Sequence, residues 1–222
     1  MKFEACLFDF NGLIIDDEAI HFELFKKILR EEEIDLTEKD YWEKYLGFDD
    51  KGLIEAVFLA SKKNVTPKKI KDLIQKKNKL YFPALKNKLR LFPGVDEFIK
   101  KVSHSFSLAI VSGALRSEIE YVLKETNLFS FFPIIISAHE TKHGKPDPEG
   151  YLLALSGLKK NNPKIVAANC LVLEDSQAGI EAAKRARMTV YALAHTYPPE
   201  QLENADKIFK NFDEIENFMK LY

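Results

Sequence analysis

Cys170-Leu171-Val172-Leu173-Glu174-Asp175 is an apolar run of strand length that stops on two carboxylates. No polar residue alternates inside it, which suits a strand covered on both faces, as in a parallel sheet. Similar runs recur at Phe3 to Asp9, Leu108 to Ser112, Pro133 to Ser137 and Thr189 to Ala194. Helix-period segments are interleaved with them: Val95 to Ser103, Ser117 to Glu125, Pro148 to Gly157 and Gln177 to Met188 carry apolar residues at three- and four-residue steps. The alternation predicts a doubly wound, Rossmann-like α/β domain built on a parallel sheet.

Residues 16–89 break the pattern, with several helical periodicities and no convincing strand. They read as an all-helical domain inserted into a core made of residues 1–15 and 90–222. Within the insert, Glu31, Glu32, Glu33, Asp35, Glu38, Asp40 and Glu43 crowd one part, whereas the charged residues from Lys62 through Arg90 are all basic except Asp72. Ile70, Leu73, Ile74, Leu80 and Tyr81 mark an apolar stripe there, so the lysines read as a solvated helix face rather than a polyanion site.

The whole chain of 222 residues is 46% hydrophobic, enough for one full core and a smaller satellite. Its 33 Lys and Arg balance 34 Asp and Glu, so no global charge draws it to nucleic acid or to a membrane surface. Two cysteines, Cys6 and Cys170, sit in apolar runs and cannot form a disulfide scaffold or a four-ligand metal site. They read as core-filling thiols in a reducing, cytoplasmic setting. The segment MKFEACLFDF lacks the apolar stretch of about seven or more residues of a signal peptide, and no run approaches the roughly eighteen apolar residues of a membrane span. Nothing in the sequence sets an oligomeric state.

Ligands of open α/β sheets bind beyond the carboxyl ends of the strands, so the residues leaving each run matter most. The first run ends in Asp9, followed by Asn11 and Gly12; the second ends in Ser112 and Gly113; the fourth ends in Glu174 and Asp175. Gly144-Lys145-Pro146-Asp147-Pro148 holds a lysine between turn residues. Carboxylate oxygens suit a hard cation such as Mg²⁺, which is commonly completed by water and substrate phosphate. A serine hydroxyl and backbone N–H groups at a loop that opens a helix suit phosphate oxygens. Together these pieces point to phosphoryl transfer.

Phe8-Asp9-Phe10-Asn11-Gly12-Leu13, Val111-Ser112-Gly113, Gly144-Lys145-Pro146-Asp147-Pro148 and Leu173-Glu174-Asp175-Ser176 with Gly179 resemble, in order, the four motifs of the haloacid dehalogenase superfamily. The resemblance is to its small-cap branch, with β-phosphoglucomutase and phosphoglycolate phosphatase-like enzymes. It implies that Asp9 is a nucleophile forming an aspartyl-phosphate, that Ser112 and the Gly113 N–H hold the transferring phosphoryl group, and that Lys145 balances their charge. It also implies Mg²⁺ bound by Asp9, the Asn11 carbonyl and Asp175, with Glu174 orienting a metal-bound water, and a helical cap that closes over the site and reads the leaving group. The implied partner is a small phosphorylated metabolite.

Asn11 departs from the resemblance, which leads one to expect a second Asp serving as acid and base. An amide can do neither job, and general acid–base catalysis contributes about 10² to 10⁴ in rate. Three explanations stay open: a substitution introduced to trap a complex, a natural variant for leaving groups that need no proton, and a protein that binds phosphates without turning them over. Hydrolysis stands first, with a phosphosugar isomerase and a non-catalytic phosphate-binding regulator as alternatives. In the insert, His21 falls where the mutase-like proteins carry a histidine, and Gly47-Phe48-Asp49-Asp50-Lys51 resembles the loop over the site. Asp50 stands where the mutase has a basic residue, and Lys51 is the nearby substitute. Arg116, opening the helix after Ser112, is a further candidate contact. Arg187 stands where the resemblance leads one to expect glycine. His104, His139, His143 and His195 form no evident metal pattern and read as surface or loop residues.

Overall fold

The computed structural model describes residues 3–86 and 88–220. In chain order, β1 (Ala5–Phe8) leads into the helical insert, made of α1 (Glu18–Arg30), α2 (Glu38–Asp40, continued by a π-turn at Tyr41–Tyr45), α3 (Asp50–Ala60) and α4 (Pro67–Leu85). The core resumes with α5 (Val95–Ser103), β2 (Ser107–Val111), α6 (Arg116–Glu125), β3 (Ile134–Ile136), α7 (Glu149–Asn161), β4 (Cys170–Glu174), α8 (Gln177–Arg185), β5 (Thr189–Leu193), β6 (Lys207–Phe209) and α9 (Phe212–Met219). By compactness the chain divides into Met1–Asp16 with Arg90–Tyr222, and Asp17–Leu89. In the core, the segments that leave for the insert and return from it run side by side. Ile15 bridges Leu91, and the Asp16 N–H donates to the Arg90 carbonyl at 2.9 Å.

Six strands form one sheet in the order β3-β2-β1-β4-β5-β6, and every pair is parallel. The chain therefore reverses its direction of winding between β1 and β4, the place where the carboxyl ends of neighbouring strands leave a crevice. All residues of β1 and β4 are buried, as their unbroken apolar runs require. Ala5, Leu7, Cys170 and Val172 pack on Tyr151, Ala154 and Leu158 of α7 and on Ile180 and Ala183 of α8. Phe8 sets its ring edge-on to Phe98 and Phe132. Cys6 and Cys170 are free and buried, filling core volume.

The sixth strand, Lys207–Phe209, has no apolar run to announce it. It is short, lies at the sheet edge beside β5 and exposes Lys207, so only one face needs hydrophobic residues. Arg187 lies in the left-handed region at φ 61°, just past α8, where the Met188 N–H closes back on the Ala183 carbonyl at 3.1 Å. Glycine at such a position avoids the Cβ penalty, though part of the gain is lost to its freer unfolded chain. Arg187→Gly is therefore expected to stabilise the fold by about 0.5–1 kcal/mol, read as a higher midpoint in urea unfolding with an unchanged slope.

The insert has its own core, in which Phe22, Phe25, Ile28 and Leu29 of α1 meet Leu53, Ile54, Val57 and Phe58 of α3 and Ile70 and Leu73 of α4. Its basic and acidic stretches pair with each other: Lys69 with Glu32 at 2.6 Å, Lys63 with the Glu32 carbonyl at 2.5 Å, and Lys76 with Glu31. Lys77 departs from the outward pattern of α4. It is buried over the Phe25 ring and bonded to Asp50 at 2.5 Å.

Candidate active site

The parallel register explains how residues far apart in sequence meet. Phe8 is paired with Ile110 of β2 and with Leu173 of β4, so Asp9 stands level with Val111 on one side and Glu174 on the other. Ser112 and Asp175 follow one step further along their chains. Backbone hydrogen bonds continue beyond the strands, from Asp9 N–H to Leu173 carbonyl at 3.0 Å and from Ser112 N–H to Ile136 carbonyl at 2.9 Å. Asp9, Ser112, Glu174 and Asp175 are all buried.

Lys145 joins the carboxylates. Its ammonium donates to Asp9 Oδ1 and, at 2.5 Å, to Glu174 Oε1, and lies 5.5 Å from the centroid of the Tyr151 ring. Glu174 is held from several sides: Oε1 also accepts the Tyr151 hydroxyl at 2.7 Å, and Oε2 accepts the Ser176 hydroxyl at 3.0 Å and the Asp175 N–H at 3.1 Å. Asp175 Oδ2 accepts the Thr196 hydroxyl. Ser176 caps α8 by accepting the Gly179 N–H at 3.1 Å, so the positive end of that helix begins at the carboxylates.

Two glycines make this packing possible. Gly12 has φ 75°, and a Cβ there would overlap Asp175 Oδ2; a Cβ at Gly179 would overlap the Glu174 carboxylate. Gly179→Ala must push Glu174 off its partners, so a loss of about 2 kcal/mol is expected from overpacking a buried polar group. Thermal unfolding checks this: the variant should melt lower than the parent protein.

Negative charge exceeds positive in the cluster. Burial pushes the Asp9 carboxyl up to about 7 against the pull of Lys145, with Glu174 adding to the rise. Burial, then the charges of Asp9 and Glu174, push Asp175 well above the usual carboxylate range, and Thr196 only partly offsets them. For Lys145 burial works against the charge, but Asp9 and Glu174 outweigh it and hold the ammonium above its ordinary value. One oxygen from each of Asp9, Glu174 and Asp175 can be chosen so that all lie within 4.8 Å of one another. An all-oxygen donor set with surplus negative charge fits a hard divalent cation such as Mg²⁺.

On the other side of Asp9, the Ser112 hydroxyl accepts the Ala114 N–H at 3.1 Å, which leaves its own O–H available as a donor. Gly113 is exposed, with nothing near the place a Cβ would take. Asn11 and Gly12 lie in the turn after β1, where the Gly12 N–H donates to Ile15 carbonyl at 3.1 Å. Arg116 is engaged elsewhere: it is bonded to Glu140 and to the Ile135 carbonyl. Within the insert, His21 Nε2 bonds Asp17 Oδ2 at 3.0 Å, and the same oxygen accepts the Tyr81 hydroxyl at 2.6 Å. Burial and Lys77 pull the His21 imidazole down, but Asp17 and Glu18 outweigh them and leave it above its usual value. Lys51 is exposed, 3.9 Å from Glu55.

Sequence reasoning missed Tyr151 and Thr196 and quoted Ser176 only within the fourth motif, without a role; all three support the carboxylates. His195 is not a plain loop residue: its ring stacks on Phe92 at 4.1 Å and its Nδ1 lies 3.2 Å from the Gly12 carbonyl, buttressing the turn that carries Asn11. His143, Asp147 and Glu149 also gather, but there Glu149 accepts the Lys142 and His143 N–H groups and Asp147 accepts the Glu149 N–H, which caps the start of α7.

The family profile of the haloacid dehalogenase-like hydrolases matches residues 6–193. The chain belongs to that family. It is 29% identical over 195 residues to a phosphorylated carbohydrates phosphatase of Thermotoga maritima, covering 87% of this chain and 86% of that one. Among solved structures, β-phosphoglucomutase from Clostridium difficile superposes with a TM-score of 0.84 at 22% identity, covering 99% of this chain and 97% of that one. CbbY from Rhodobacter sphaeroides, solved with phosphate, gives 0.83 at 24% identity, covering 96% of each. These two likenesses carry the fold: haloacid dehalogenase-like proteins share the parallel sheet and helical insert seen here.

Proposed function

We propose that this haloacid dehalogenase-like hydrolase is a Mg²⁺-dependent phosphatase of a small phosphorylated metabolite, with Asp9 as nucleophile. The observation that carries the reading is the gathering of three buried carboxylates around one lysine at the β1–β4 switch point. Mg²⁺, held by Asp9, Asp175 and the Asn11 carbonyl with Glu174 behind it, would supply charge neutralisation for the phosphate oxygens. Such catalysis is mostly positioning and electrostatic stabilisation.

An Asp9 carboxylate oxygen attacks phosphorus, the bond from phosphorus to the leaving oxygen breaks, and the phosphoryl group rests on Asp9 until water hydrolyses it. The Ser112 hydroxyl and the Gly113 N–H, just ahead of the N-terminus of α6, bind the phosphate oxygens. Lys145 neutralises the negative charge gathered between Asp9 and that group. Tyr151 and Ser176 keep Glu174 in place. Asn11 cannot give the leaving oxygen a proton, so acyl phosphates and phosphate esters with stable leaving anions are the favoured substrates. His21 and Lys51, in the insert that serves as the cap, are the candidate contacts for the rest of the substrate.

Hydrolysis is preferred to isomerisation because Asp50, standing where a mutase needs a cation, neutralises buried Lys77. A panel of phosphorylated metabolites, with acetyl phosphate and p-nitrophenyl phosphate, assayed in Mg²⁺ and in EDTA tests the reading. Release of inorganic phosphate only with Mg²⁺ supports it. Conversion of β-glucose 1-phosphate to the 6-phosphate with a bisphosphate primer would favour the isomerase, and Mg²⁺-dependent binding without turnover of any ester would favour a regulator.

A further inference from the structure

Arg116 and Glu140 are both bonded too fully for chance surface charges. Glu140 Oε1 accepts Arg116 Nε at 2.9 Å and Nη2 at 2.7 Å, while Oε2 accepts the Ser137 N–H at 2.8 Å and the Ser137 hydroxyl. Arg116 Nη2 also donates to the Ile135 carbonyl at 2.6 Å. Ser137 is fully buried, and the Ala138 N–H donates to the Ala114 carbonyl at 3.0 Å. One carboxylate therefore ties the first residue of α6 to the turn that follows β3.

The two tied segments carry the phosphate-facing groups. Ser112 and Gly113 lie between β2 and Arg116, and Lys145 lies five residues beyond Glu140 on the segment leaving β3. Ser112 is itself hydrogen-bonded to Ile136, directly before Ser137. A shift of either segment would move the hydroxyl and N–H donors relative to the ammonium, although neither Arg116 nor Glu140 touches the carboxylate cluster among the bonds described.

We propose that Arg116 and Glu140 form a clasp that positions the Ser112–Gly113 loop against the Lys145 segment and so sets phosphate affinity. They are positioning residues, and the inference rests on the phosphatase reading, in which those loops hold phosphate. Sub-ångström to ångström displacement of binding groups is enough to cost a large factor in such sites. Glu140→Gln keeps the size and one acceptor but removes the charge that fixes Arg116.

The test measures inorganic phosphate binding by calorimetry in saturating Mg²⁺, beside the Mg²⁺-induced shift in Tm. Glu140→Gln should weaken phosphate about tenfold and raise KM more than it lowers kcat, while the Mg²⁺ shift stays that of the parent. Arg116→Gln should do the same, and the double variant should be no worse than either single, because both break one clasp. Arg116→Lys should recover part of the affinity. A Glu140→Gln protein with a lower Tm but unchanged phosphate affinity would overturn the clasp and leave the phosphatase reading standing. A parent protein that neither binds phosphate nor turns over any ester would overturn both.

Discussion

Asp9→Asn should abolish phosphatase turnover, by on the order of 10⁴-fold or more, because the attacking oxygen is gone and no second group in the cluster can replace it. Lys145 is an ammonium bonded to two carboxylates, Glu174 is occupied by Lys145, Tyr151 and Ser176, and Asp175 accepts the Thr196 hydroxyl and serves as a proposed Mg²⁺ ligand. The same substitution should not weaken the fold. Burial holds the Asp9 carboxyl at about 7, so its ionised form is disfavoured in the native protein, and removing it relieves charge that Lys145 alone does not balance. An Asp9→Asn protein with a Tm at or above that of the parent and no release of phosphate separates loss of chemistry from loss of structure. A residual rate above about one part in a hundred would show that Asp9 is not the nucleophile.

Asn11→Asp should act in the opposite direction. A carboxyl at this position can protonate a leaving oxygen and then take a proton from the attacking water, roles that an amide cannot fill. Turnover of a sugar phosphate, whose alkoxide is a poor leaving group, should rise about tenfold or more, whereas acetyl phosphate, whose acetate leaves without a proton, should gain far less in the first step. The comparison of the two substrates is the informative quantity. Equal gains would place the missing function in the hydrolysis of the phosphorylated enzyme, and no gain for either would show that acid–base chemistry does not limit the rate.

The fold was legible wherever burial on both faces forces a continuous apolar run, as in Ala5–Phe8 and Cys170–Glu174. It was not legible at Lys207–Phe209, an edge strand of three residues, too short to make a distinct apolar run. The carboxylates of the site could be read because Asp9 directly follows β1 while Glu174 ends β4 and Asp175 follows it, and a parallel sheet brings strand ends together. Their supports could not. Tyr151 sits in the first turn of a helix, and Thr196 lies two residues beyond the Ala194 that closed the last apolar run, and neither position differs in pattern from ordinary core or loop residues. Only the packing shows that one hydroxyl meets Glu174 and the other Asp175. Arg116 illustrates the converse: a cation just after a phosphate-binding loop looks like a ligand contact in sequence, yet its donors are taken by Glu140 and a strand carbonyl. Lys77 is similar, a lysine in a basic helix whose partner, Asp50, lies in another helix of the insert.

The account rests on a phosphoryl group passing through Asp9. The most direct measurement is to incubate the protein with Mg²⁺ and labelled acetyl phosphate, quench in acid, reduce the acyl phosphate with borohydride and map the modified residue by mass spectrometry. The account predicts conversion at position 9, lost when Mg²⁺ is chelated and stronger in the Asn11 parent than in Asn11→Asp, where water discharges the group faster. Phosphate release with no modification at Asp9, or modification at another residue, would contradict it.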